Sequence, residues 1–186
     1  MRLLAILFSI AAAIAAVLPG ESHADQNDPR LGPLFERLHA AADAEDARRI
    51  EARIWIAWAT VADKRQAALL ARGSRAMNSR DFEAARLAFD TLVSVAPEFA
   101  EGWNKRATLN YLTGDLDASV RDIQRTLVLE PRHFGALSGL GLIMLQLDRP
   151  RDALRSFEAA LAIHPHMPAA EAHVATLRER LRGEPL

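Results

Sequence analysis

Apolar residues follow three different patterns along this chain. Residues 3–18 are continuously apolar or small, with Ser9 the one polar interruption. Pro33 to His39 and Glu45 to Trp58 then read as a pair of helices. In the second of these, Ile50, Ile54, Ala57 and Trp58 share one face at helical spacing. Beyond them the pattern repeats itself every 34 residues, through segments 66–99, 100–133 and 134–167 with no insertion. The fourth place of each segment holds Leu69, Trp103 and Leu137; the eighth holds Gly73, Ala107 and Gly141. The twentieth holds Ala85, Ser119 and Ala153, the twenty-fourth Phe89, Ile123 and Phe157, and the thirty-second Pro97, Pro131 and Pro165. Pro168 to Arg182 reads as one more helix, apolar at Ala172, Leu177 and Leu181 and charged elsewhere.

This spacing resembles the tetratricopeptide repeat, whose pattern is W-x2-L-G-x2-Y, A-x3-F and P at a period of 34. The resemblance covers the three segments in full and implies an all-α fold, a right-handed α-solenoid of antiparallel helix pairs. Small residues at the eighth and twentieth places would then lie where the two helices of a pair approach most closely, with the large residues filling the space on either side. The proline would close the second helix, since the residue before it is disfavoured in the α region. Asp81 and Asp115 fall in the turns as caps of the second helices, and Pro150 takes a first-turn position in the third repeat. Some residues depart from the pattern: Arg72 and Arg106 stand in place of Leu, Asn110 in place of an aromatic, and Leu92 in place of Ala. The implied organisation is a signal peptide (1–24), an N-terminal helical pair (25–65), repeats at 66–99, 100–133 and 134–167, and a C-terminal capping helix (168–186). The N-terminal pair is read as a degenerate repeat capping the first full one, although Glu51 sits where a small residue belongs.

Composition agrees with an all-α chain. Half of the 186 residues are hydrophobic, and good helix formers dominate. Basic and acidic residues nearly cancel, 23 against 24, which leaves no long-range field to recruit nucleic acid or an acidic membrane. There is no cysteine, so disulfides, thiolate zinc sites, a cysteine nucleophile and lipid attachment at a cleavage site are all excluded. At the start, Arg2, the apolar run, the Pro19-Gly20 break and Ser22-His23-Ala24 form the three parts of a secretory signal peptide. The run is shorter than the roughly 20 residues of a membrane span, which argues against the alternative of an uncleaved N-terminal anchor. In a bacterium with two membranes, cleavage predicts a periplasmic protein beginning at Asp25, with no membrane attachment thereafter.

Little in the chain suggests catalysis. Gly139-Leu140-Gly141 lacks both the third glycine and the preceding strand of a phosphate-binding fingerprint, and close packing accounts for it and for Gly135. There is no nucleophile elbow, and no motif places a carboxylate pair. The expectation is a non-enzyme without catalytic residues or cofactor. His164, His166 and His173 raise the alternative of a metal or small-ligand binder, against their being solvated turn residues. Trp55 and Trp58 read as core packing against the first full repeat, or as part of a partner interface. Arg72 and Arg106 are expected to pair with acids on adjacent helices.

By the resemblance, the first helix of each repeat lines a concave groove. The candidate partner-binding residues are Met77 from the first repeat, and Glu101, Asn104, Thr108, Tyr111 and Leu112 from the second. Ser138, Leu142, Leu145 and Gln146 come from the third. Tyr111, Leu112, Leu142 and Leu145 are the candidate anchors, and Asn104 the candidate donor to a partner backbone. The lysine-, arginine- and asparagine-rich clamp that chaperone-binding members of the family use for a terminal carboxylate is not reproduced at these places. The expected function is a periplasmic adaptor for a protein or peptide partner. A structural protein that self-associates through its end helices, as a homodimer for instance, is the alternative.

Overall fold

A computed structural model describes residues 25–182; the predicted signal peptide lies outside these residues. Among the described residues there are nine helices and no strand. They are α1 (Leu31–His39), α2 (Ala44–Ala59), α3 (Lys64–Asn78), α4 (Phe82–Val95), α5 (Ala100–Leu112), α6 (Leu116–Leu129), α7 (Phe134–Gln146), α8 (Pro150–Ile163) and α9 (Pro168–Arg182). Helices α3/α4, α5/α6 and α7/α8 form the three repeat hairpins, and α9 closes the far end against α8.

The turns are built alike in all three hairpins. Arg80, Gly114 and Asp148 occupy the same place, and each has positive φ (61°, 82° and 51°). The backbone there must enter the left-handed region, and only the middle repeat uses glycine to do so. One residue later Asp81 and Asp115 accept from the N–H groups of Ala84 and Ala118, so both cap the second helix as expected. Pro150 stands at the first turn of α8, also as expected.

Small residues at the eighth place have a sharper reason than helix approach alone. A Cβ built on Gly73 would lie 2.4 Å from the Phe89 ring, and one on Gly141 would lie 2.7 Å from the Phe157 ring. The middle repeat carries the smaller Ile123 at the twenty-fourth place, and there the eighth place is Ala107. The twentieth place does face the eighth, since Ser119 Oγ donates to the Ala107 carbonyl at 2.8 Å. Leu92 is accommodated similarly: it packs against Gly102 of the next repeat, where a Cβ would meet its Cγ at 3.3 Å.

The N-terminal pair departs from expectation. It does not sit on the first repeat as a cap. The apolar faces of α1 and α2 form one core with Phe134 and Ala160, flanked by Leu137, Ile163 and Met167, all from the third repeat and the loop after it. Trp58, buried, stacks flat on His133 with ring centroids 4.2 Å apart and planes 6° from parallel. Its indole N–H donates to Glu130 Oε2 at 3.4 Å. Trp55 meets Phe134 and His133 edge-on. The tryptophans are core residues, but their neighbours belong to repeats two and three. The polar pairings point the same way. Gln26 bonds the Glu98 carbonyl and the Ala100 N–H, and His166 bonds the Ala41 carbonyl at 3.0 Å. Glu51 takes hydrogen bonds from Trp55 Nε1 at 3.0 Å and His164 Nε2 at 3.4 Å. A glutamate that spoils stacking on a repeat is thus the anchor of a different docking, along the loops that join one repeat to the next.

Candidate partner-binding groove

Between α5 and α7 the first helices of neighbouring repeats are splayed, leaving an apolar cleft of about 280 Å³. Asn104, Thr108, Tyr111 and Leu112 line it from α5, and Gly135, Gly139 and Leu142 from α7. Ala107, Ser119, Ile123, Ala136 and Ile143 form its remaining wall and floor. Leu112 is 52% exposed and Leu142 36%, so neither is consumed by packing between helices. The two α7 glycines that line the cleft have opposite reasons. A Cβ on Gly135 would strike the Trp55 ring at 2.6 Å, so that position is kept small by α2. At Gly139 the nearest atom is Ile123 Cδ1 at 3.8 Å, an ordinary contact. Close packing does not explain Gly139; the missing side chain leaves the cleft open.

Helix α2 covers the other end of this surface with Trp55 on Gly135, and two candidate residues near that end are turned inward. Glu101 is 1% exposed and accepts from three groups: Asn104 Nδ2 at 2.9 Å, Lys105 Nζ at 3.1 Å and His133 Nε2 at 3.1 Å. His133 Nδ1 accepts from the Ala136 N–H as the cap of α7, which leaves Nε2 as the nitrogen carrying the proton to Glu101. Burial pushes the Glu101 carboxyl up, but the hydrogen bond from His133 and the Lys105 charge outweigh it and hold the group below its ordinary value. Lys105 also lies over the Trp55 ring. Glu101 is therefore an internal anchor and not a groove residue. Asn104 still edges the cleft, but its amide N–H₂ is turned to Glu101, so it is not the donor to a partner backbone that its position suggested.

The other candidates divide in the same way. Thr108, Tyr111, Leu112 and Leu142 are brought together around the cleft. Met77 packs half-buried against the core of α3, α4 and α5, and Leu145 half-buried against the core of the third repeat. Ser138 is half-buried and Gln146 exposed, and neither lines the cleft. Gly139 was the signal in the sequence that the cleft exists, and its small-residue floor was not foreseen.

The histidines are not a solvated cluster. His164 is buried edge-on against Phe134, His166 is tied to α1–α2, and His173 stacks on Phe157 with centroids 4.7 Å apart. Among the described residues no three His, Asp or Glu side chains gather as a metal site. Arg106 behaves as expected, bridging Asp90 at 3.0 Å and Asp122 at 2.7 Å, while Arg72 is exposed.

Known proteins share this architecture. The first TPR of Spaghetti (RPAP3), solved bound to an HSP90 peptide, matches with a TM-score of 0.61 at 15% identity, over 64% of this chain and 95% of that one. The Sgt2 TPR domain of Aspergillus fumigatus matches with a TM-score of 0.60 at 21% identity, over 67% of this chain and 87% of that one. A TPR repeat-containing protein of Rhizobium etli is 34% identical over 154 residues, 83% of this chain and 76% of its own length. The family profile described as tetratricopeptide repeat matches residues 70–131 and 113–168. On its period, its paired helices and these matches, the chain belongs to the tetratricopeptide-repeat family.

Proposed function

We propose that this protein is a non-catalytic adaptor that seats an apolar side chain of a partner protein in the cleft between α5 and α7, and that it does so in the periplasm. Proteins of this family mediate protein–protein interaction. What carries the reading here is the unfilled apolar cleft beside Gly139, rimmed by exposed Leu112 and Leu142 with Tyr111 and Thr108 beside them. Such a site favours one buried anchor, which is how interface energy is commonly concentrated. Tyr111 adds a flat apolar face with a hydroxyl at small rotamer cost. No lysine or arginine is among the residues lining the cleft, and Lys105 beside Asn104 is already bound to Glu101, so the site suits an apolar segment and not a terminal carboxylate. The periplasmic setting is supported by the three-part leader at residues 1–24.

The test is to fill the cleft without disturbing the fold. Gly139→Leu places a side chain in the opening and also improves helix propensity. A partner captured in stoichiometric amount from a periplasmic extract by the wild type should be lost by Gly139→Leu, with helicity and melting retained. Undiminished capture by the folded variant would refute the cleft as the site. Intact mass of the protein from the periplasmic fraction should correspond to a start at Asp25.

A further inference from the structure

Because α1 and α2 dock along repeats two and three, the first repeat keeps an outer face that nothing in the described chain covers. That face belongs to α3. Its exposed residues run Lys64, Arg65, Ala68, Ala71, Arg72, Arg75 and Asn78, a single helical stripe. Residues 64–80 hold five cations and no acid, in a chain whose formal net charge is −1. The flanking acids are engaged: Asp63 and Asp81 cap α3 and α4. Among the described residues, Lys64, Arg65, Arg72 and Arg75 form no ion pair.

The same face in the later repeats shows what belongs there. Arg75 corresponds to Leu109 and Ile143, both buried, and Ala68 to Gly102 and Ala136, also buried. The preceding second helix covers each of them; Leu92 of α4 lies directly on Gly102. Arg72 corresponds to Arg106, which is neutralised by Asp90 of the preceding second helix and Asp122 of its own. In the first repeat both partners are missing. Ala88 stands where Asp122 does, and among the described residues the preceding helix, α2, packs against Phe134 and Ala160 and leaves Arg72 exposed. A polar end alone would serve solubility, but the opposite end of this solenoid shows how this chain makes a neutral one. There Arg178 pairs with Glu158, Arg180 with Asp148 and Arg182 with Glu179.

We infer that the α3 face docks an acidic helix of a partner protein, which takes the place of a preceding second helix and sets a carboxylate against Arg72 as Asp90 is set against Arg106. Ala68 and Ala71 give the close floor such a helix needs, and the arginines give register and charge complementarity. This surface is separate from the α5–α7 cleft and does not depend on it.

The probe is an Ala-rich helical peptide of about 18 residues with glutamates at i, i+4 and i+7, titrated into the full chain by fluorescence anisotropy. R72E/R75E should weaken binding at least about tenfold, as should the Glu→Gln peptide, while R121E/R151E, the same charge change elsewhere, should leave it within about twofold. Amide hydrogen exchange should show peptide-dependent protection confined to α3. Equal losses from the two double variants, or protection outside α3, would overturn the inference. Two further results would also overturn it: phosphatidylglycerol vesicles bound through Arg72 and Arg75 when the peptide is not, or a dimer of the chain that R72E/R75E dissociates. The first would make the face a membrane contact, the second a contact between copies.

Discussion

Two glycines on α7, two residues apart, should respond oppositely to the same substitution. At Gly139 an alanine Cβ meets only Ile123 Cδ1, at 3.8 Å. Gly139→Ala therefore gains helix propensity without a steric penalty, about 0.5–1 kcal/mol. At Gly141 the added carbon would lie 2.7–2.8 Å from three ring atoms of Phe157. That ring is fully buried and cannot swing aside. Overpacking of this kind costs about 1–3 kcal/mol, which exceeds the propensity gain and leaves a net loss of roughly 0.5–2 kcal/mol. Urea unfolding followed by far-ultraviolet circular dichroism resolves both, and for a chain of this size each kcal/mol moves Tm by about 2–4 °C. The middle repeat supplies a second, stricter test, because it pairs Ala107 with Ile123. Phe157→Ile alone should destabilise by leaving a cavity. Combined with Gly141→Ala it should show favourable coupling of about 1 kcal/mol or more. If Gly141→Ala stabilises as much as Gly139→Ala, or if the cycle shows no coupling, the assignment of the eighth place to the aromatic contact is wrong.

Trp58→Ala should cost about 3–5 kcal/mol, because the ring is buried between α1, His133 and Phe134, and hydrogen exchange should show α1 and α2 losing protection before the repeats do. Acid stability provides a separate check through Glu101 and Glu51. In the folded chain both carboxyls titrate below their ordinary 4.5, so the unfolded state takes up protons first as pH falls. Their contribution is present above pH 4.5 and lost as pH drops through the lower folded values, so stability should rise with pH across that window. Glu101→Gln should lower stability at neutral pH and flatten this acid limb; an unchanged slope would show that Glu101 is not ionised where it is buried.

The repeat hairpins were legible because their constraints are local and recur. Pro97, Pro131 and Pro165, the capping aspartates and the Gly-or-Ala alternation each follow from contacts within one repeat or between neighbours, and three copies make the register unmistakable. The docking of α1–α2 was not legible in that way. Its helical period showed that one face is apolar, but an apolar face does not say what covers it. Trp58 and His133 are 75 positions apart, and no spacing rule joins them. Glu51 was the available signal: it contradicted the expected stack, and its partner His164 lies in the loop after α8. The candidate groove residues divided: Thr108, Tyr111, Leu112 and Leu142 line the cleft, while others are taken up by contacts the pattern does not encode. Position within a repeat predicts which residues face the concave side, but Glu101 and Asn104 are turned toward each other, Lys105 and His133 in a hydrogen-bonded cluster inside the second repeat that no place in the pattern announces.

One displacement thus shapes both proposed interaction surfaces. A helical pair stacked on α3 would have buried the face of Lys64, Arg65, Arg72 and Arg75, and unpaired arginines in a closed interface would be strongly unfavourable. The charges on α3 and the aromatic face of α2 are therefore consistent with each other, since each disfavours the stacked arrangement. Along the groove the effect is reversed. There α2 closes the Glu101 end with Trp55 against Gly135, and the surface that remains is the short apolar opening beside Gly139. A long extended segment lying across all three repeats would meet α2, whereas a single anchor entering past Leu112 and Leu142 would not. The cleft and the α3 face share no side chain. Gly139→Leu and R72E/R75E should accordingly act independently, the first on an apolar contact insensitive to salt and the second on a charged one weakened by it.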